Sequence, residues 1–472
     1  MKSLRAGRGS SVAVLATASL AAATAFLDTG IVNLALPALG KAFMTTASGL
    51  AWVVNAYVLP FAVSILAVGR LGDWFGRRRV LAVGAALFAV GSAGAALAPS
   101  YAVLLLMRAL QGLGASALLT LSLAVVSASY DDSGRPRALG IYFAAGATAG
   151  AIGPIVGGLL TSGFGWRAMF AVQVPIALVV VVAVLLNLEA APAGRRLHLD
   201  LAGLGLGSLV LLGINLAVLQ GHAWGWASAG VRGAALVAVI ALWLFVLRER
   251  SVAEPAVLLE VFRNRRFVAS SLVGAAAWFG VLSGTVQLAI YLQAGRGLDP
   301  SAASLVIVAW PLAALVVFLR SGAMIARFGS ERAMFGAIVV AALSAAAMPF
   351  FRADTPLVLV AAVAAVGGAA IALSVTASTV CALGEFEPAE AATASGIFNS
   401  LRQVGSALGV AIPAAMYDIG ASGALTGRHA LSGSAWALGS RAVVLMLVLG
   451  LLAPLLPHLF SARPEPSAAL RR

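Results

Sequence analysis

The sequence predicts an all-α membrane protein of 14 transmembrane helices, arranged as two pseudo-symmetric six-helix halves plus two inserted helices. Three observations predict it. Of the 472 residues, 61% are hydrophobic and 10% are charged, with a mean hydropathy of +1.01. A soluble chain carries about a quarter charged residues, so lipid must cover much of this one. Apolar runs of about 20 residues, enough to span a bilayer as a helix, recur from end to end. Hydrocarbon offers the backbone no hydrogen-bond partner, so spans of this length are helices. A loop sequence between two runs also returns in the second half of the chain.

In order, the runs lie at about 12–36, 48–69, 80–98, 101–128, 138–161 and 167–188, then 199–220 and 231–248, then 268–293, 302–325, 333–351, 355–382, 391–418 and 440–460. The first six belong to an N-terminal half (1–190), the next two to an inserted pair (191–250), and the last six to a C-terminal half (251–472). The N-terminus imitates a secretory signal, but its apolar run continues past the small residues to Pro37, and an uncleaved first helix is the simpler reading. The stretch 257–267, VLLEVFRNRRF, has the pattern of a short amphipathic helix on the membrane surface.

Charge sets the orientation. GRRR (76–79), RPR (135–137), RR (195–196), RER to RNRR (248–266) and RFGSER (327–332) all follow even-numbered spans. The opposite loops hold scattered bases such as Lys41, Arg167, Arg296 and Arg352. Basic loops stay inside, so both termini are expected in the cytoplasm of a multi-pass protein of the cell membrane. The net charge of +14 is therefore a topology signal, and no nucleic-acid partner is expected. Trp224 and Trp226, on an outer loop, suit interfacial anchoring. One cysteine, Cys381, makes no intrachain disulfide. The chain has no GxxxxGK[ST] loop, no histidine–cysteine metal cluster and no arguable catalytic triad. An ATP-driven machine, a resident metal or cofactor, and an enzyme are not expected.

The repeat pairs GRLGDWFGRRR (69–79) with GAMIARFGSER (322–332). They share Gly69 with Gly322, Phe75 with Phe328, Gly76 with Gly329 and Arg79 with Arg332; Ala326 stands where the first copy has Asp73. Parallel repeats around a central cavity are a transporter architecture. Gly69, Gly72 and Gly76 suit a tight turn and close helix approach. Asp73 suits a helix N-terminus or an arginine, and such a contact can open with an inner gate. Arg77 and Arg78 follow from orientation alone as well.

Two charges fall inside the first half. Asp28 precedes the outer end of span 1 by about seven residues and Arg108 follows the outer end of span 4 by the same count, so both lie about 11 Å deep. Opposite charges at matching depth are expected to pair, because either alone costs about 2.5–3.5 kcal/mol or more. Asn33 and Gln111 can extend the network. In span 5, Gly146, Gly150, Gly153, Gly157 and Gly158 put small residues along one face, and Pro154 should kink the helix. The reading is a tight interface turned towards the other half. In the second half Arg402 falls near the midplane with no obvious acidic partner; Asp418 is too far along the same helix. Arg402, Asn399, Trp278, Gln287 and Tyr291 are candidate substrate contacts, with packing or snorkelling as the rival reading.

Four stretches carry a family resemblance: LDTGIVNLALP (27–37), GRLGDWFGRRR (69–79), LLMRALQGLGASA (105–117) and GATAGAIGPIVGG (146–158). In that order, and at those spans, they resemble the motifs of the major facilitator superfamily, in its fourteen-helix drug:proton antiporter branch. The resemblance covers essentially the whole chain. It implies a proton-coupled antiporter that exports small amphiphilic compounds by alternating access, driven by the proton gradient. Export of one endogenous metabolite or lipid is the alternative. The implied partners are the amphiphile, protons and the bilayer, with the protein a monomer. Asp28 and Arg108 are then the proton-coupling pair, since burial favours the neutral carboxyl and the guanidinium favours the charged one. A purely structural ion pair remains the competing role. The span 5 motif implies antiport.

Overall fold

The computed structural model describes residues 8–45, 47–189, 200–252, 259–298, 300–386, 391–421 and 427–452. Among them all regular structure is helical. The long segments are α1 (Arg8–Phe43), α2 (Ala47–Phe75), α3 (Arg77–Ala96), α4 (Tyr101–Ser129), α5 (Arg135–Phe164), α6 (Trp166–Asn187), α7 (Leu201–Trp224), α8 (Ala229–Ser251), α9 (Arg265–Ile290), α10 (Ala302–Phe328), α11 (Ser330–Ala347), α12 (Leu357–Leu383), α13 (Ala391–Ala421) and α14 (Gly427–Leu452). Twelve helices among the described residues are long and apolar enough to cross a membrane; α7 and α13 fall outside that set. The chain is a multi-pass membrane protein. It divides into two compact units, one of Met1–Leu258 with Pro388–Ser400, the other of Leu259–Glu387 with Leu401–Arg472.

The helices of the first unit meet around two apolar clusters. One gathers Phe88, Leu118, Leu121 and Val180 from α3, α4 and α6. The other gathers Ile31, Leu104, Met169 and Phe170 from α1, α4 and α6. The inserted pair α7–α8 lies in this same unit. Ser208 of α7 donates to the Val63 carbonyl of α2 at 2.9 Å. Asp200 caps α7 by accepting from the Gly203 amide at 3.0 Å, and pairs with Arg248 of α8 at 3.2 Å. One carboxylate thus ties both ends of the hairpin together.

Several expectations are corrected. The stretch after span 2 is not a loop, because α2 stays helical to Phe75 and α3 starts at Arg77. Gly69 and Gly72 are buried helical residues, and the turn falls on Gly76 alone, at φ 91°. A left-handed residue of this kind favours glycine. Gly329, its counterpart in the repeat, has φ 82° and breaks the chain between α10 and α11 in the same way. The stretch 257–267 is not one amphipathic helix. A short 3-10 turn (Leu259–Arg263) precedes Asn264, whose side chain accepts from the amides of Arg266 and Phe267 and starts α9. An N-cap at that position ends one element and begins the next. Residues 257 and 258 lie outside the described residues.

The glycine face of α5 is also turned differently from expectation. A Cβ on Gly146 would lie 2.7 Å from the Phe26 ring, one on Gly153 2.8 Å from the Gly30 Cα, and one on Gly157 2.7 Å from the Ile31 carbonyl. The face lies on α1, within the same unit, because the glycines admit the α1 backbone itself. Gly150 is roomier, with the Phe26 carbonyl at 3.9 Å. Gly158 is half-buried, and the Pro154 ring lies outside the described side chains.

These distances predict a graded response. Gly153→Ala must push the α1 backbone and should cost about 1–3 kcal/mol, as overpacking does, whereas Gly150→Ala should be nearly neutral. Thermal unfolding of the purified variants measures the difference.

Candidate functional site

Asp28 and Arg108 meet. The Arg108 Nη1 donates to both Asp28 oxygens at 2.9 Å, and both residues are at most 1% exposed. Nη1 also donates to the Gln111 Oε1 at 2.9 Å, and Nε donates to the Val53 carbonyl at 3.2 Å. Gln111 Nε2 donates to the Ser92 Oγ at 2.8 Å, which donates in turn to the Phe88 carbonyl. The Arg108 Cζ lies 4.5 Å from the centre of the Tyr57 ring, within cation–π range. Four helices therefore build the site: α1 gives the carboxylate, α4 the arginine and Gln111, α2 the ring and a carbonyl, α3 the serine. Gln111 extends the network as expected. The side chain of Asn33 lies outside the described side chains.

Small residues make this convergence possible. A Cβ on Gly112 would run into the Tyr57 carbonyl, and one on Gly91 would lie 2.8 Å from Gln111. The α5 glycines press on residues 26–31 of α1, the turn that carries Asp28. The span 5 motif thus holds the helix on which the carboxylate sits.

Asp73 gathers the second cluster. Its Oδ1 pairs with Arg77 Nη2 at 3.1 Å, one turn on and across the Gly76 break. Its Oδ2 accepts from both the amide and the hydroxyl of Thr393 at 2.7 Å. Thr393 is in the first turn of α13, so the carboxylate caps a helix N-terminus from another helix, where the helix dipole favours negative charge. Both alternatives expected for Asp73 occur together. Gly69 serves the same junction: a Cβ on Gly396 of α13 would lie 3.3 Å from its Cα. Arg78 donates to the Leu185 carbonyl.

Of the remaining candidates, Asn399 belongs to the first unit and the others to the second. Arg402 is buried, with its Cζ 4.7 Å from the centre of the Trp278 ring. Asn399 is half-buried and donates to the Ser395 Oγ at 3.3 Å. Tyr291 is buried, and its hydroxyl donates to the Arg352 carbonyl at 2.8 Å. Gln287 is buried, and its Oε1 has no hydrogen-bond partner among the described residues. The Asp418 side chain lies outside the described side chains.

Sequence reasoning missed one charge. A second buried arginine accompanies Arg402 in the second unit: Arg441 of α14 is 0% exposed. The apolar run predicts span 14 from residue 440, which puts Arg441 at a helix end; α14 in fact begins at Gly427. The stretch GRHALSGSAWALGS is too polar to register as an apolar run, although its small residues are good packing material. The four-residue spacing of Ser434, Leu438 and Ala442, all buried, which runs from this stretch into the predicted span, is the signal available.

The pair's energetics are testable. Asp28→Asn strands a guanidinium that cannot lose its charge, at a cost of about 3–5 kcal/mol. Arg108→Gln strands a carboxylate that a proton can neutralise, so its cost should be smaller. The double variant should recover much of the loss; thermal unfolding of the four purified proteins measures all three effects.

Known proteins share the sequence and the fold. The chain is 33% identical over 389 residues to the multidrug resistance protein Stp of Mycobacterium tuberculosis, covering 82% of this chain and 72% of that one. It is 32% identical over 391 residues to the methylenomycin A resistance protein of Streptomyces coelicolor, covering 82% of each. Its fold is similar to that of the human organic anion transporter MFSD10, with a TM-score of 0.69 over 94% of this chain and 99% of that one; at 15% identity this shows the fold alone. Residues 18–410 match the model of the Major Facilitator Superfamily, and the chain belongs to that family.

Proposed function

We propose that this protein exports small amphiphilic compounds, antibiotics among them, in exchange for protons. The observation that carries the reading is the Asp28–Arg108 pair, an ionisable carboxylate sealed within four converging helices of a transporter fold. Relatives named for multidrug and methylenomycin A resistance, matched over most of their length, support the substrate class. A buried ionisable residue in a membrane helix marks a proton or ion path by default. Arg108 stays charged throughout and biases Asp28, so a shift of α1 or the arrival of water or substrate changes how firmly the carboxyl holds a proton. A single pair of this kind suits neutral, zwitterionic or weakly charged cargo.

Fourteen crossings fit this reading. With α7 and α13 also crossing, the basic segments at 76–79, 135–137, 195–196, 248–266 and 327–332 share one face, the cytoplasmic one. Without α7, the segment 248–266 would fall on the wrong side. At 1.5 Å per residue, the 24 residues of α7 and the 31 of α13 are each long enough for the roughly 30 Å core. Arg402 makes α13 less apolar while suiting a lining helix. The Asp73–Thr393 contact is the inner latch, released as α13 moves during alternating access. The protein works as a monomer in the cell membrane, with the proton gradient as its only energy source.

The test is transport in vesicles with an imposed pH gradient and a panel of amphiphilic antibiotics that includes methylenomycin A. The wild type should accumulate one or more of them against their gradient, collapsing with the pH gradient. Asp28→Asn should abolish uphill movement while still allowing downhill exchange. Full uphill transport by Asp28→Asn would remove that residue from coupling. Transport confined to an endogenous metabolite or lipid would favour the narrower exporter.

A further inference from the structure

The second unit contains a guanidinium that the proposed cycle does not use. Arg441 of α14 is fully buried. Its Nη1 donates to the Met348 thioether at 3.3 Å, and its Cζ lies 4.7 Å from the centre of the Trp310 ring. Its Nε and Nη2 are buried with no hydrogen-bond partner among the described residues. These two nitrogens form one edge of the guanidinium, with parallel N–H groups at the spacing of the two oxygens of a carboxylate.

The internal repeat shows what this site lacks. A Cβ on Gly112 would meet the Tyr57 carbonyl, and one on Gly368 would meet the Trp310 carbonyl. Tyr57 and Trp310 are also separated by the same interval as Gly69 and Gly322. A Cβ on Gly153 faces the Leu27 carbonyl and one on Gly405 the Ala275 carbonyl; Gly157 faces Ile31 as Gly409 faces Phe279. These contacts match α1 with α9, α2 with α10, α4 with α12 and α5 with α13. Counting from them, Ala276 stands in the place of Asp28 and Ala364 in the place of Arg108. Both alanines are buried. The second unit therefore repeats the aromatic platform and restores the cation from a different helix, over the ring at nearly the same distance. It does not restore the acid.

The surroundings are short of partners too. Gly284 of α9 abuts the guanidinium, since a Cβ there would lie 3.0 Å from Nη1. Gln287, one turn along the same face, has a buried Oε1 with no hydrogen-bond partner among the described residues. An arginine keeps its charge when buried, so the charge must be met by an anion. We propose that Arg441 and Trp310 form a carboxylate-binding site in the second unit, filled by a carboxylate the chain does not itself supply. The guanidinium edge takes the two oxygens and the Trp310 face flanks the organic part, so aromatic monocarboxylates should bind best. The carboxylate is either a group on transported cargo or a free ion.

Thermal unfolding of the purified full chain in sodium benzoate, against sodium chloride at equal ionic strength, tests the site. Benzoate should raise the melting temperature of the wild type above that in chloride. Arg441→Gln should abolish the difference. Arg441→Lys keeps a charge but loses the paired edge, and should need about tenfold more benzoate for the same shift, the equivalent of one lost charge-assisted hydrogen bond. Arg441→Lys serves alone if Arg441→Gln does not fold. Equal melting of the wild type in the two salts, as when an acid of the chain already fills the site, overturns the proposal; so does an undiminished benzoate shift in either variant. Benzoate that competes with export identifies a cargo carboxylate, and benzoate that binds without competing identifies a free ion; either supports the site.

Discussion

The first unit is organised around one constraint: a carboxylate has been taken out of water and must be kept in company. Asp28 is fully buried and bonded to a single guanidinium nitrogen. That nitrogen is tied to Gln111, the guanidinium is tied to the Val53 carbonyl, and the Tyr57 ring lies across it. A buried ion pair is tolerable only when its remaining hydrogen-bonding groups are satisfied. The sequence supplies that satisfaction through glycine as much as through polar residues. Gly112 and Gly91 bring α2 and α3 against α4, and Gly153 and Gly157 press α5 onto the turn of α1 that carries Asp28. Any shift of α1 along α5 must therefore be felt at the carboxylate, which is the mechanical link the proposed exchange requires.

The two units share a scaffold but not a charge plan. The breaks at Gly76 and Gly329 have the same left-handed turn. The glycine approaches on α5 recur on α13, and that of α4 recurs on α12. On this common frame the first unit carries a matched acid and base, and the second carries the bases Arg402 and Arg441, each over a tryptophan. Backbone packing is what the repeat preserves, because a misplaced Cβ is intolerable wherever helices touch. Charge is free to differ, because it depends on single side chains.

Much of this was legible in the sequence where counting along a helix suffices. Asp28 and Arg108 lie equally deep by residue count alone, and they meet. The company Asp73 keeps followed from its place among glycines and arginines. What counting does not provide is helix rotation. The span 5 glycines were read as facing the other half, yet they face α1. Helices made of small polar residues carry little apolar signal, so α14 starts well before the span the sequence predicts, and the burial of Arg441 does not show in the sequence. Gly69 and Gly72 misled in a related way, since glycine reads as a turn in sequence although it serves equally as a point of contact inside a helix.

The central claim is that substrate and proton compete through Asp28. The most direct measurement is proton release from purified protein in weakly buffered detergent solution on addition of an exported compound. The account predicts a stoichiometric release from the wild type and none from Asp28→Asn, with the compound still bound by both. Release of equal size from Asp28→Asn, or binding to the wild type without any proton movement across the pH range of the assay, would contradict it.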